Sequence, residues 1–219
     1  MIKKRLFTGV LTVGLVAAAA AVSATFFLPD SASGLGASDV RPLSDSPVPE
    51  DMKQGLVAAA KTAGVEENAL QEVAGVGGED ARSGIVVAPH GDTDVVAFYS
   101  RTGFTNFVSV ADVVGKAEGG LLITSSTQAG PDGEPGSVQV RGVAAPSIER
   151  ATVTLIDGRS VDLELVEAGT SGHSFFTYAT EERDTFPAVV RAYSANGDEV
   201  ATWDLTNETR NPCADGGDC

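Results

Sequence analysis

Cysteine and histidine are scarce in this sequence of 219 residues, which contains two of each. Both cysteines, Cys213 and Cys219, lie near the C-terminus, so a disulfide between them cannot staple the core of a domain. They lack the paired spacing of a zinc site, and no histidine lies nearby in the sequence. In an oxidising compartment the two thiols can pair and close a small ring in the acidic tail, residues 207–219. We therefore expect a Cys213–Cys219 disulfide if the tail is exported.

Motifs for nucleotide binding and for hydrolysis are missing as well. The sequence has no Gly-x-Ser-x-Gly elbow, and Gly115, Gly119 and Gly120 lack the strand, the spacing and the lysine of a P-loop. Basic residues are few: the sequence has 15 lysines and arginines but 30 acidic residues, and the formal net charge is −15. Because such a surface repels phosphates, we expect no nucleic-acid partner. The sequence predicts no catalytic residue and no cofactor.

One long uncharged run is present, from Leu6 to Leu28, directly after Lys3-Lys4-Arg5. A helix of these 23 residues would be roughly 34 Å long, enough to cross a bilayer. Val22-Ser23-Ala24 offers small residues for cleavage, so residues 1–28 are predicted to be either a transmembrane anchor or a signal peptide. The apolar residues beyond that site, Thr25 to Leu28, favour the anchor. In both cases the basic residues stay inside and the remainder is exported.

The predicted location is therefore the cytoplasmic membrane, crossed once, with the N-terminus inside and the C-terminal domain outside. The alternative is secretion after cleavage near Ala24. The exported part has 12 basic and 30 acidic residues, which favours solubility outside the cell, and we expect contact with the membrane through the N-terminal segment only. A hydrophobic content of 42% and a charged content of 21% are typical of a globular chain.

Residues 29–50 are rich in Ser, Asp, Pro and Gly, which predicts a flexible linker. Residues 51–142 are predicted to form a helical hairpin followed by antiparallel strands. Apolar residues from Met52 to Ala63 recur at helical spacing, and Gly64 suits the end of that helix. A second short helix is predicted over Glu66 to Val73.

After Ser83, short runs of β-branched and aromatic residues alternate with turn residues, which predicts about ten antiparallel strands. The predicted strands are Gly84 to Ala88, Asp94 to Ser100, Thr105 to Val110, Leu121 to Ser125, Ser137 to Gly142, Glu149 to Ile156, Ser160 to Val166, Ser174 to Tyr178, Ala188 to Ser194 and Glu199 to Leu205. Asp157-Gly158 and Asn196-Gly197 predict two tight hairpins. Ser126 to Gly136 is predicted to be a long surface loop.

Pro146 suggests a boundary after residue 142, so that residues 143–206 form a second β unit. Four stretches of this region resemble small immunoglobulin-like modules of bacterial surface proteins. These stretches are Val140-Arg141-Gly142-Val143, Arg150 to Arg159, His173-Ser174-Phe175-Phe176 and Val190 to Gly197. The whole layout is similar to uncharacterised exported or membrane-anchored proteins of high-GC Gram-positive bacteria, which implies no activity. The resemblance implies a mainly β fold, in which an antiparallel unit precedes an immunoglobulin-like β-sandwich-type unit.

His90, Asp92 and Asp94 form the densest polar cluster and are the candidates for a metal site or a general base. A turn between strands collects such residues for backbone reasons, so the structural interpretation is preferred and no metal is assigned. Val95-Val96 also departs from the pattern of a calcium loop. His173 lies close to Ser171 and Ser174, where a serine hydrolase would need an acid and an oxyanion hole; an ordinary loop is preferred there too.

The hypothesis that follows is a non-catalytic extracytoplasmic envelope protein with a binding or structural role. Its expected partner is another envelope protein or a cell-wall component. One alternative is an exported hydrolase or metal-dependent enzyme that uses His90, Asp92 and Asp94. A second alternative is an extracytoplasmic sensor or regulatory domain.

Overall fold

The computed structural model describes residues 34–35, 40–76, 83–129 and 135–206. Within these ranges the chain forms three antiparallel sheets and two α-helices, which confirms the prediction of a mainly β fold. The residues in these ranges belong to one compact unit. The predicted N-terminal segment 1–28 and the tail with Cys213 and Cys219 lie outside the described residues. None of the helices in the described ranges has the length and apolar character needed to cross a bilayer.

The two helices are α1 (Glu50–Thr62) and α2 (Val110–Lys116). The first seven strands are β1 (Gly34–Leu35), β2 (Val40–Pro42), β3 (Gln71–Val76), β4 (Ser83–His90), β5 (Thr93–Ser100), β6 (Gly103–Phe104) and β7 (Val108–Ser109). The remaining strands are β8 (Leu121–Ala129), β9 (Pro135–Ala144), β10 (Ile148–Leu155), β11 (Ser160–Leu163), β12 (Val166–Glu167), β13 (Ser174–Thr180), β14 (Pro187–Ser194) and β15 (Glu199–Asp204).

The three sheets stack on one another, and α1 covers the stack on one side. The helix-side sheet has the order β2-β3-β4-β5-β6, with β7 also paired to β5. The central sheet has the order β1-β13-β9-β8, with β12 also paired to β13. The outer sheet has the order β11-β10-β14-β15. Every strand pair in the described ranges is antiparallel, as the short alternating runs of the sequence predict.

The central sheet is buried on both faces. One face, which includes Val140 and Phe176, packs on Val153 and Val190 of the outer sheet. The other face, which includes Val143 and Phe175, packs on residues of the helix-side sheet such as Ile85 and Phe98. Neighbouring residues of a strand point to opposite faces, so Phe175 and Phe176 belong to different cores.

Helix α1 closes the remaining face of the helix-side sheet. Leu56 and Ala60 of α1 are fully buried against Val86, Ala97 and Tyr99. Phe98 and Tyr99 therefore lie on opposite faces of β5, as the alternation of the sequence predicts. Helix α1 ends at Thr62, and Gly64 follows with a φ of +77°, a value that favours glycine.

Both predicted hairpins are confirmed. Strands β10 and β11 pair around Asp157-Gly158, and β14 and β15 pair around Asn196-Gly197. Gly158 and Gly197 have φ values of +87° and +83°, which glycine adopts without the steric cost of a side chain. In contrast, the predicted long loop over Ser126 to Gly136 is wrong at both ends, because β8 and β9 extend into it.

The second predicted helix, Glu66 to Val73, is wrong. The chain makes a single 3-10 turn at Glu67–Ala69 and then enters strand β3, whose residues from Glu72 to Val76 are all buried. A strand covered on both faces shows no alternation, so its short apolar run has no periodicity that separates it from a helix.

The second helix is α2, which was not predicted from the sequence and begins at Val110, the last residue of a predicted strand. Only Val108–Ser109 of the run Thr105 to Val110 pairs as a strand, and α2 begins at Val110. The Ser109 side chain caps this helix by accepting a hydrogen bond from the Asp112 amide at 3.3 Å. Lys116 lies in the last turn, where a positive charge is favourable.

The prediction of a flexible linker over residues 29–50 is wrong for the part that the structure describes. Gly34–Leu35 pairs with β13, and Val40–Pro42 pairs with β3. Leu43 and Val48 are both 3% exposed and belong to the core under α1. The composition of the segment is polar overall, but these two apolar side chains belong to the same core cluster as Leu56 of α1.

The sequence-based boundary between residues 142 and 143 falls inside β9. Residues of β9 on both sides of this point pair with the same neighbours, β8 and β13. Strands from both predicted units, 51–142 and 143–206, therefore share the central sheet.

Candidate functional site

His90, Asp92 and Asp94 lie on the hairpin between β4 and β5, as predicted, but they do not converge. His90 and Asp92 are exposed at the turn, whereas Asp94 is fully buried. Among the described residues no group of three or more His, Cys, Asp or Glu side chains could hold a metal ion. The structure thus gives Asp94 an environment that its two neighbours in sequence do not share.

The Asp94 carboxylate binds the loop that leads from β12 to β13. The Thr170 amide donates to both carboxylate oxygens at 3.0 Å, and the Thr170 hydroxyl donates to Oδ1 at 3.1 Å. The Ser171 amide donates to Oδ2 at 2.8 Å, and the Ser171 hydroxyl donates to the same oxygen. Two consecutive residues thereby satisfy the charged oxygens of a carboxylate that water does not reach.

Gly169 makes this close approach possible. Its φ is +75°, and a methyl group on its Cα would overlap the carboxyl group of Asp94. Only glycine meets both requirements, because other residues rarely adopt this φ and all of them carry a Cβ. The segment Gly169-Thr170-Ser171 is therefore shaped to hold the carboxylate of Asp94.

His173 extends this network toward the surface. Its Nδ1 lies 2.8 Å from Oγ of Ser171. The single hydroxyl proton of Ser171 is directed to Asp94, which carries no proton of its own, so Ser171 accepts from Nδ1–H of His173. Hydrogen bonds thus run from His173 to Ser171 to Asp94. In a serine hydrolase the hydroxyl proton instead points to the imidazole, so Ser171 is not arranged as a nucleophile.

The network changes the pKa values of its two titratable members. Burial disfavours the charged form of Asp94, but the hydrogen bonds from Ser171 and Thr170 outweigh it and hold the pKa of Asp94 below its ordinary value. Burial lowers the pKa of His173, and the nearby Asp94 carboxylate opposes this effect only in part. The favoured state pairs an ionised Asp94 with a neutral His173. This arrangement clamps a loop to a hairpin.

A different region of the surface has the shape of a binding site. A groove of about 850 Å³ runs along α1. One wall is a single face of the helix, formed by Glu50, Lys53, Gln54, Val57, Ala58 and Lys61. The opposite wall is formed by Pro42, Leu43, Ser44, Glu66, Glu67, Asn68 and Leu70. This volume lies within the range of about 300 to 1,000 Å³ that is typical of ligand sites.

The groove combines an apolar base with charges of both signs. Leu43 and Leu70 are buried beneath it, and Val57 is half-buried beside them. Lys53 reaches across the groove, where its Nζ donates to the Ser44 carbonyl at 3.2 Å. The helix wall from Glu50 to Lys61 measures about 16 Å at 1.5 Å per residue, which matches roughly five residues of an extended chain.

The groove was not among the sites predicted from sequence. The residues of its helix wall recur every three or four positions, a spacing that can be recognised in the sequence. The opposite wall comes from two separate segments, whose proximity the sequence does not show. One of those segments, Pro42 to Ser44, was predicted to be flexible. Comparison of the chain with protein-family models, with curated protein sequences and with solved structures gave no match.

Proposed function

We propose that this protein is a non-catalytic extracytoplasmic envelope protein whose groove along α1 binds a charged peptide segment. The segment would belong either to another envelope protein or to the peptide part of the cell wall. The observation that carries this proposal is the groove of about 850 Å³, which has an apolar base and both lysines and glutamates at its rim. Peptides present apolar side chains together with charges of both signs, so they suit such a lining.

The hydrogen bonds around Asp94 favour a binding role over an exported enzyme. Both carboxylate oxygens of Asp94 accept hydrogen bonds from Thr170 and Ser171. Neither oxygen is therefore available to take a proton from a substrate or to bind a metal ion. Ser171 is oriented as a donor to that carboxylate. The network therefore accounts for these polar residues without a reaction.

The proposed setting comes from the sequence. The segment 1–28 would deliver the domain to the outside of the cytoplasmic membrane, as an anchor or, after cleavage near Ala24, as a signal peptide. The outer sheet and the central sheet around residues 143–206 would represent the immunoglobulin-like module that the sequence resembles. Proteins of this layout in high-GC Gram-positive bacteria would then be its relatives.

The location is tested by fractionating cells that express the full chain and measuring the intact mass of the protein. A membrane-bound species that begins at Met1 supports the anchor, and a soluble species that begins at Thr25 supports cleavage. Recovery of the full chain from the cytoplasm would overturn the extracytoplasmic proposal.

Binding in the groove is tested with a photoreactive amino acid placed at Ala58, an exposed residue of the helix wall. Ala111 is the matched control, because it is an exposed alanine of the other helix, α2, and does not line the groove. We expect a cross-linked adduct from position 58 and much less from position 111. If treatment with a muramidase lowers the mass of the adduct, the cross-linked partner is the cell wall. If the adduct runs as a discrete band that the muramidase does not change, the partner is an envelope protein. Equal adducts at both positions, or none, would contradict binding in the groove.

A substitution gives an independent check. Ala58→Arg fills the groove with a long side chain, while Ala111→Arg makes the same substitution on α2, away from the groove, and arginine is a good helix former at both positions. We expect the first variant to lose the cross-linked partner when the probe is placed at the neighbouring Gln54, and the second variant to retain it.

A further inference from the structure

The space between the central sheet and the helix-side sheet is apolar at one end and polar at the other. At the polar end, Arg141 of β9 lies between Thr124 of β8 and Thr177 of β13, which are its direct partners in the strand register. Gln139 precedes Arg141 by two residues and so lies on the same face. That face looks toward the helix-side sheet, because Val143, two residues further along β9, packs there.

Arg141 is a buried cation, with 5% of its surface exposed. One guanidinium nitrogen donates to the Tyr99 carbonyl at 2.6 Å, and the other donates to the Ser126 hydroxyl at 3.0 Å. The Nε–H of Arg141 has no hydrogen-bond partner, and no carboxylate in the described ranges forms an ion pair with it. Burial lowers the pKa of Arg141 to about 10, so it stays charged at neutral pH.

Three neighbours of Arg141 also have a buried polar atom without a hydrogen-bond partner. The side-chain oxygens of Thr124, Gln139 and Thr177 are buried and lack a hydrogen-bond partner in the described part of the chain. In folded proteins about nine in ten buried polar groups are hydrogen-bonded, and a buried charge is usually paired. Three of these groups, the Nε–H of Arg141 and the hydroxyls of Thr124 and Thr177, can donate hydrogen bonds, whereas the amide oxygen of Gln139 only accepts. Three donors on one face of three adjacent strands therefore point to a bound anion.

We propose that this cluster, the Arg141 site, binds a compact oxyanion of carboxylate size. The free Nε–H and the unused N–H groups of the guanidinium match the two oxygens of such an anion. Thr124 and Thr177 flank Arg141 on the neighbouring strands and add a hydroxyl on either side. Adjacent strands are about 4.8 Å apart, so these two threonines span about 10 Å, which suits a small anion rather than a chain.

The Arg141 site is independent of the groove proposed for peptide binding. The groove lies along α1, on the opposite face of the helix-side sheet from the central sheet. Loss of one site therefore leaves the geometry of the other intact, and the two proposals are tested by different probes.

Titration with acetate and with inorganic phosphate tests the proposal on the full-length protein, at constant ionic strength maintained with sodium chloride. We expect a saturable rise of the thermal midpoint and a measurable binding isotherm for at least one of the two anions. Thr177→Val keeps the shape of the side chain but removes one hydroxyl, and it should weaken binding about tenfold. Thr152→Val, at a buried threonine of the outer sheet, is the matched control and should leave the affinity unchanged.

Arg141→Met removes the charge while retaining a long flexible side chain. We expect this variant to show no anion-dependent rise of its thermal midpoint. If Arg141→Met does not fold, the anion affinities of Thr177→Val and Thr152→Val are compared instead, and only Thr177→Val should bind more weakly than wild type. A wild-type protein that neither anion stabilises, or one whose response is the same in Thr177→Val, would overturn the proposal. A crystal structure grown in the anion that stabilises the protein, but showing only water beside Arg141, would do the same.

Discussion

Ser171 donates its amide and its hydroxyl to the same carboxylate oxygen of Asp94, which lies 77 residues earlier in the chain. This contact joins a loop of the central sheet to a hairpin of the helix-side sheet. It fixes the position of one layer relative to the next by charge-assisted hydrogen bonds in addition to apolar packing.

Asp94→Asn should lower the free energy of unfolding by about 2–4 kcal/mol, because an amide group cannot accept the full set of hydrogen bonds from Thr170 and Ser171. Asp92→Asn, the same change at an exposed position of the same hairpin, should stay within about 0.5 kcal/mol of wild type. Urea denaturation measures both values. Equal effects of the two substitutions would show that the clamp contributes nothing.

Gly169→Ala should destabilise the protein by about 3–5 kcal/mol, since the new methyl group overlaps Asp94 and the backbone has a positive φ. Gly172→Ala has a similar φ of +71°, but its methyl group would meet Pro146 only at 3.7 Å. That variant carries the backbone cost alone, about 1–2 kcal/mol. The difference between their unfolding free energies isolates the contact with Asp94, and a difference near zero would contradict it.

Stability should fall in two stages as the pH is lowered. Folding lowers the pKa of both His173 and Asp94, so the unfolded chain takes up protons at a higher pH than the folded chain. The contribution of His173 is complete above its ordinary value of 6.5 and is lost as the pH falls through the folded pKa. The contribution of Asp94 is lost in the same way below 3.8.

His173→Gln removes the first stage and leaves the second. We expect urea midpoints that change less than those of wild type as the pH falls below 6.5, with the acid-induced loss below 3.8 retained. A variant with the pH dependence of wild type across both ranges would refute the role of His173 in the clamp.

Leu43→Ala should cost about 2–4 kcal/mol of stability, because Leu43 belongs to the core under α1. If this segment were a flexible linker, the substitution would have almost no effect. Ser44→Ala, at the neighbouring exposed position, serves as the control and should change stability by less than about 0.5 kcal/mol. Thermal or urea unfolding distinguishes the two cases.

Local patterns predicted much of this fold. Asp157-Gly158 and Asn196-Gly197 located two hairpins, because a tight turn needs residues that tolerate a positive φ. The predictions were wrong where contacts between distant segments determine the local structure. Strand β3 has no alternation because both of its faces are buried, and Leu43 looked like part of a polar linker because its burial depends on α1. Helix α2 was not predicted, although Ser109 caps it in the structure by accepting a hydrogen bond from the Asp112 amide.

The candidate residues were found, but their relationship was not. Asp94 and the pair Ser171 and His173 were treated as two separate clusters, whereas the structure joins them in one network. A separation of 77 residues leaves no local trace of such pairing. The Arg141 site is similar, because Thr124 and Thr177 become neighbours of Arg141 only through the strand register.

The position of β13 also determines when the chain can complete its fold during synthesis. This strand lies in the middle of the central sheet, where Gly34 pairs with Ala179 and β9 pairs on the other side. Until Thr180 has emerged, β9 lacks one neighbour and the inner face of the helix-side sheet lacks part of its cover. Pairings between distant segments form slowly, in milliseconds to seconds. A ribosome-bound or truncated chain that ends before β13 would therefore expose strand edges and apolar surface, which makes it a substrate for chaperones and proteases.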